Sequence, residues 1–318
     1  MKRLLNATSW LGGRIVLCLM LCALAVAASA NAQGVTTGAL TGLVKDAQEK
    51  PVAGATVLAL HVPSGTAYEG TTRADGRYNI PGMRVGGPYS VTVTRGATTT
   101  AAFDPQTQND ILINLGVATD LDFVVRSIAE EVTVTAQSDA VFSSDRTGAA
   151  TVLNRETLAT LPTISGRLND VTRLTPQSGG GLSFAGQDSR LNNITVDGSS
   201  FNNSFGLGNS PGDRTGVAPI SLAAIEQVQV SVAPFDVRQG NFVGAAVNTV
   251  TRSGGNSFRG SFYHAFRDDS GVGTKAKALD FNPGTFNFRN TGGWASGPII
   301  PNRTFFFFNH ENEAFTQA

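Results

Sequence analysis

Residues 89–94 read Tyr-Ser-Val-Thr-Val-Thr, which sets Tyr89, Val91 and Val93 on one face of an extended chain and Ser90, Thr92 and Thr94 on the other. A two-residue period of this kind belongs to a strand with one buried face. Related short segments recur from residue 36 to 126: "TGLVKD", "ATVLAL", "GRYNIPG", "ILINLG" and "LDFVV". Pro51, Asp75 with Gly76, and Gly86 with Gly87 punctuate them with turn chemistry. The spacing predicts an all-β N-terminal sandwich with a single core. The 36 glycines and the 15% of charged residues fit a turn-rich β protein better than a helical one.

The first 32 residues follow a different rule. Lys2, Arg3 and Arg14 precede an apolar run from Ile15 to Ala28, and Ala30 and Ala32 provide small residues before a cleavage point. We read residues 1–32 as a signal peptide. The competing reading is a membrane anchor, but the run falls short of the roughly 20 apolar residues that a bilayer requires. Both cysteines, Cys18 and Cys22, lie in this leader, so the exported chain is expected to have neither thiol nor disulfide. The 24 basic and 24 acidic side chains balance, which gives no electrostatic reason for binding nucleic acid. No later stretch is apolar enough for a membrane helix, so any insertion has to use strands.

Residues 138–255 are mixed and predict an α+β region. "NRETLATLP" reads as a helix capped by Asn154 with Leu158 and Leu161 on one face, and "GRLNDVTRL" as a second helix aligning Leu168, Val171 and Leu174. "SLAAIEQVQVSV" reads as a turn capped by Ser221 that runs into a strand through Val228, Val230 and Val232, and "AAVNTVT" as another strand. Arg190, Asn193 and Asp197 are assigned to turn and wall contacts rather than to a ligand. From Phe258 the pattern changes. In "FRGSFYHAFR", Phe258, Phe262 and Phe266 oppose Arg259, Ser261, Tyr263 and Arg267, the alternation of a membrane-spanning β-strand, and "TFNFRNTGGWASG" and "RTFFFFNHEN" repeat it. A soluble sandwich core is the other use of such Phe-rich strands.

The string from "TGLVKDAQEKPVAGATVLAL" to "YSVTVT" resembles the carboxypeptidase regulatory-like domain through Gly42, Asp46, Pro51, Gly54, Ala55, Asp75, Gly76, Tyr78 and Tyr89. That resemblance implies a seven-stranded, transthyretin-like sandwich. Residues 130–318 resemble the start of a TonB-dependent outer-membrane receptor of Oar-like type. "EEVTVTA" is similar to the TonB box (residues 130–137), "LPTISGRLNDVTRLTP" and "NNITVDGSSFNNSFG" to the plug domain (138–255), and "GPIIPNRTFFFFNHE" to the early strands of the β-barrel (256–318). Ala245 and Ala246 stand where the family usually has a Gly pair, and Arg252 where Lys is common.

The resemblance implies a receptor in the outer membrane with its sandwich and box in the periplasm. Its partners would be the C-terminal domain of TonB with the inner-membrane proton-driven complex, outer-membrane lipid and an unidentified extracellular substrate, but no nucleic acid. The box residues Glu131, Val132, Thr133, Val134, Thr135 and Ala136 would add a strand to an exposed edge of TonB. The segment can also be read as a last strand of the preceding sandwich. Residues 256–318 have room for about three strands, too few to close a barrel, so the sequence is expected to be an N-terminal fragment. Catalysis is not expected, nor any cofactor or metal: His61, His264 and His310 are scattered, and His310 and Glu313 would face opposite sides of a strand. The alternative function is a periplasmic or surface module in which the sandwich binds carbohydrate or protein without transport.

Overall fold

The computed structural model describes residues 35–95, 104–126, 149–161, 167–180, 182–203, 220–232, 239–240, 242–276, 279–280, 282 and 284–317. The predicted leader and all six predicted box residues, Glu131 to Ala136, lie outside the described residues.

The alternation read at residues 89–94 is realised as part of two facing sheets. Their strands are β1 (Thr37–Asp46), β2 (Ala55–His61), β3 (Thr66–Thr71), β4 (Arg77–Arg84), β5 (Gly86–Arg95), β6 (Gln106–Ile113), β7 (Ala118–Asp120) and β8 (Phe123–Val125). In one sheet β1 pairs antiparallel with β4 and parallel with β7 and then β8; the other is antiparallel in the order β3-β2-β5-β6. Leu40, Val44, Val57, Tyr89, Val91 and Phe123 fill the space between them.

The resemblance implied seven strands, and the structure has eight ladder segments because the last strand is interrupted. At the break, the Leu121 N–H donates to the Thr41 carbonyl (2.8 Å) and the Asp122 carboxylate accepts from the Leu43 N–H (2.7 Å), so a side chain replaces a backbone acceptor. Tyr78 Oη donates to the Leu121 carbonyl at 2.6 Å. Gly42 makes this approach possible, since a Cβ at that position would collide with the same carbonyl. The turn residues behave as their chemistry predicts: Asp46 Oδ1 accepts from the Gln48 and Lys50 amides (2.9 and 2.8 Å), and Asp75 Oδ1 from Arg77 (3.1 Å), beside Gly76 at φ +74°.

The central sheet comprises β9 (Ala149–Asn154), β12 (Asn193–Val196), β13 (Ser199–Ser200), β14 (Ile225–Val232) and β15 (Ala245–Thr251), with a hairpin of β10 (Ser178–Gly180) and β11 (Ser183–Phe184) nearby. Its order is β13-β12-β15-β14-β9, with only β12 and β15 parallel. One face, with Leu153, Ile194, Val228, Val230 and Val247, packs against Leu158 of α1 (Arg155–Thr160), Val171 of α2 (Leu168–Thr172) and Phe184. Asn154 caps α1, its Oδ1 accepting from the Thr157 N–H at 2.9 Å. Two expectations need correction. Leu174 is 46% exposed because α2 ends at Thr172, and Leu161 is the partly exposed C-cap of α1, so neither continues its helix's apolar face.

The remaining strands β16 (Arg259–Asp268), β19 (Phe286–Ile300) and β20 (Thr304–Gln317) form an antiparallel meander, with a small ladder of β17 (Lys275–Ala276) and β18 (Leu279–Asp280) in the connection. Phe258, Phe262 and Phe266 are 75, 76 and 73% exposed and line one face, as their spacing predicts. No helix among the described residues is long and apolar enough to cross a membrane, which says nothing about crossing by strands.

Gly42→Ala is expected to destabilise the sandwich by about 2–3 kcal/mol through forced displacement at Leu121, read as a lowered urea midpoint. His61 is buried with Nδ1 2.6 Å from Ser64 Oγ; burial and the Arg84 charge push its pKa from 6.5 down to about 4. The unfolded state therefore binds the proton first, and stability should fall as pH drops from 6.5 towards 4. His61→Asn should flatten the upper part of that slope, between about pH 6.5 and 5, where carboxylates contribute least.

Candidate functional site

The central sheet has a second, polar face. Along β14, Gln227, Gln229 and Ser231 alternate with the valines of the apolar face, and all three are buried. Asn248 on β15 ties this face across three strands: its Oδ1 accepts from Thr195 Oγ1 (2.8 Å) and its Nδ2 donates to Gln229 Oε1 (3.1 Å). Gln227 reaches the sandwich. Its Oε1 accepts from the Leu115 N–H (2.8 Å) and its Nε2 donates to the Ile113 carbonyl (3.2 Å), a two-point clasp on backbone just after β6. Val35, Val85 and Leu115 of the sandwich form a small apolar patch with Val250 beside it.

The meander touches the same central body with the face opposite to its exposed phenylalanines. Arg167, at the start of α2, pairs with Glu313 of β20 at 2.6 Å, and the Glu313 side chain is only 9% exposed. Glu311 accepts from Ser221 Oγ (2.8 Å) and from Tyr263 Oη of β16. Arg252, between β15 and β16, stacks over Trp294 at 3.7 Å from the ring centroid, while its Nη1 donates to the Ala223 carbonyl at 3.0 Å. Burial and the neighbouring Arg155 charge lower the pKa of Arg252, and Glu226 opposes them. These contacts are polar or cationic, and on the meander they are made by Tyr263, Trp294, Glu311 and Glu313, which lie on the face opposite to Phe262, Phe266 and Phe308.

The predicted turn and wall residues take those places. Arg190 pairs with Asp188 at 2.6 Å, the Asn193 Nδ2 donates to the Gly240 carbonyl (3.0 Å), and Asp197 accepts from both the amide and the hydroxyl of Thr251 (2.8 and 2.7 Å). Glu313 faces the central body, whereas His310 is exposed on the other side of β20. Among the described residues no group of three or more His, Cys, Asp and Glu could hold a metal ion. The sequence reading missed the Gln227 clasp and the Arg167–Glu313 pair. The alternation of Gln with Val along β14 was the signal for the first; the second joins residues 146 apart and left no local signal.

Residues 39–126 match the carboxypeptidase regulatory-like domain family. A stretch of 133 residues is 27% identical to the TonB-dependent transporter Oar of Myxococcus xanthus. The chain resembles TonB-dependent receptors. That match takes in 40% of this chain and spans 12% of the transporter's length. Among solved structures, the siderophore receptors PirA of Acinetobacter baumannii and of Pseudomonas aeruginosa are each 18% identical. The first covers 52% of this chain and 24% of its own, with a TM-score of 0.41; the second covers 54% and 28%, with 0.38.

Glu313→Gln should remove the charge opposite Arg167 and loosen the meander from the central sheet by about 1–2 kcal/mol, less than for a fully buried pair because the Arg167 side chain is 31% exposed. Faster protease cleavage after Arg167 is the expected readout.

Proposed function

We propose that the chain works as a TonB-dependent outer-membrane receptor, with the central sheet as its plug and β16, β19 and β20 as strands of the surrounding barrel wall. The observation that carries this reading is the two-sidedness of the meander. Its outward face presents Phe258, Phe262, Phe266 and Phe308 at 75, 76, 73 and 63% exposure, while its inward face is tied by Arg167–Glu313 and Ser221–Glu311 to the central sheet. Exposed phenylalanines on the exterior suit lipid, and polar inward contacts suit a body that has to shift within a lumen.

In this reading the sandwich and residues 130–137 lie in the periplasm. The chain leaves the sandwich at Val125 and enters the plug at Ala149, so a tether between them is fixed to folded bodies at both ends. Strand addition by Glu131, Val132, Thr133, Val134, Thr135 and Ala136 to the edge of TonB would give main-chain grip with little demand on side-chain identity. Force drawn from the inner-membrane proton gradient would then reach the plug through β9, which sits at the edge of its sheet beside β14. The substrate would be an extracellular solute taken up through the lumen. The reading assigns no catalysis and no cofactor to this chain.

A binding module without transport is the second reading. It is favoured by Leu58 and Leu60, which are 40 and 39% exposed on the outward face of β2 and offer an apolar strip to a carbohydrate or protein.

Calorimetric titration of the C-terminal domain of TonB into the detergent-solubilised chain tests the receptor reading. Binding that Val134→Pro abolishes is the expected result, because proline removes a ladder donor from the pairing strand. Equal heats for both proteins, or none for either where an established receptor binds, would favour the binding module.

A further inference from the structure

Where the sandwich, the central sheet and the first strand of the meander meet, they line a half-open cavity of about 100 Å³. That volume holds several waters or one tetrahedral oxyanion. Its lining is unusual in charge. Arg84 comes from the end of β4, Arg155 from the start of α1, Arg252 from the connection after β15, and Arg259 from the start of β16. Among the described residues Glu226 is the only acidic one in the lining, and it pairs loosely with Arg155 at 3.8 Å. His61 also lines the cavity, and it is held neutral at pH 7.

Among the described residues, four arginines against one glutamate leave an excess of three positive charges in the lining. Such a cluster is self-repelling, and Arg252 registers the repulsion from Arg155 and Arg259. Arg252 is committed to Trp294 and the Ala223 carbonyl, while Arg84 and Arg259 have no carboxylate partner among the described residues. Between the arginines, Ser253, Ser257 and Ser296 add hydroxyls to the lining. A planar fork of donors from several directions, with hydroxyls between them, is the arrangement that recognises phosphate oxygens.

We infer that this junction is a phosphate-binding site, built from Arg84, Arg155, Arg252 and Arg259, which locks the sandwich, the central sheet and β16 together when it is occupied. Two sources can supply that chemistry. One is a soluble phosphate compound. The other is the headgroup of an anionic phospholipid, whose acyl chains would reach round the strand end to Phe258, Ile299 and Ile300, which are 75, 64 and 51% exposed.

The test uses the full chain in a zwitterionic detergent and follows its thermal unfolding with pyrophosphate at matched ionic strength, and in parallel with phosphatidylglycerol or phosphatidylcholine added to the micelles. The wild type should gain stability with pyrophosphate, with phosphatidylglycerol, or with both, and not with phosphatidylcholine. Arg84→Ala with Arg259→Ala should weaken the response about tenfold or more in apparent Kd, consistent with loss of charge-assisted hydrogen bonds. Arg259→Lys should retain part of it, and Arg190→Ala, whose partner Asp188 lies outside the cavity, all of it. A response to pyrophosphate identifies a soluble source, and one confined to phosphatidylglycerol a lipid source. The double variant loses no ion pair seen among the described residues and sheds two mutually repelling charges, so without ligand it should unfold no earlier than the wild type. Wild type and double variant responding alike, or neither responding to any additive, would overturn the assignment.

Discussion

A sheet with two unlike faces needs two unlike covers, and the Gln227 clasp is how this chain provides the second one. The apolar face of the central sheet is closed by its own helices and hairpin. The other face carries glutamine, asparagine and threonine at buried positions, and buried amides are costly unless each finds a partner. Asn248 satisfies Gln229 and Thr195 within the sheet, while Gln227 takes its partners from the backbone beyond β6. The sandwich is thus a structural part of the central sheet's cover. Removing it would leave the Gln227 amide to water and uncover the polar face it closes.

The same logic distinguishes the contacts that hold the core from those that hold the meander. Within the central body, valines and leucines pack without polar partners, and such contacts fail only when the body unfolds. Against the meander the contacts are an ion pair, a hydroxyl–carboxylate cluster and an arginine stacked on an indole. Water can replace each of these one at a time, so a body held in this way can be displaced at much lower cost than it can be unfolded. In the proposed receptor, that ordering of strengths would let a plug yield at its boundary.

The period-two segments announced most of the strands, because burial on one face writes itself into alternate positions. Tyr89, Val91 and Val93 were legible as a core face, and Phe258, Phe262 and Phe266 as an outward one. Ser221 and Asn154 were legible as caps, since capping is settled within three residues. Leu174 misled because helical spacing continued past the point where the helix stops. The junctions were not legible. Gln227 meets Leu115, and Arg167 meets Glu313, across separations of 112 and 146 residues, and no local pattern encodes a partner so far along the chain. The four arginines of the junction cavity also come from four separate elements. The box read at residues 130–137 rests on strand alternation and resemblance, and it falls outside the described residues.

The sandwich and the central sheet are joined through Gln227. Hydrogen exchange at the Leu115 amide, measured residue by residue in the full chain, tests this without knowing substrate or partner. The joined arrangement predicts strong protection in the wild type and rapid exchange in Gln227→Leu, with the Val91 amide in the sandwich core equally protected in both. A Leu115 amide that already exchanges in the wild type as fast as an exposed loop amide would contradict it, and would mean that the sandwich stands free of the sheet.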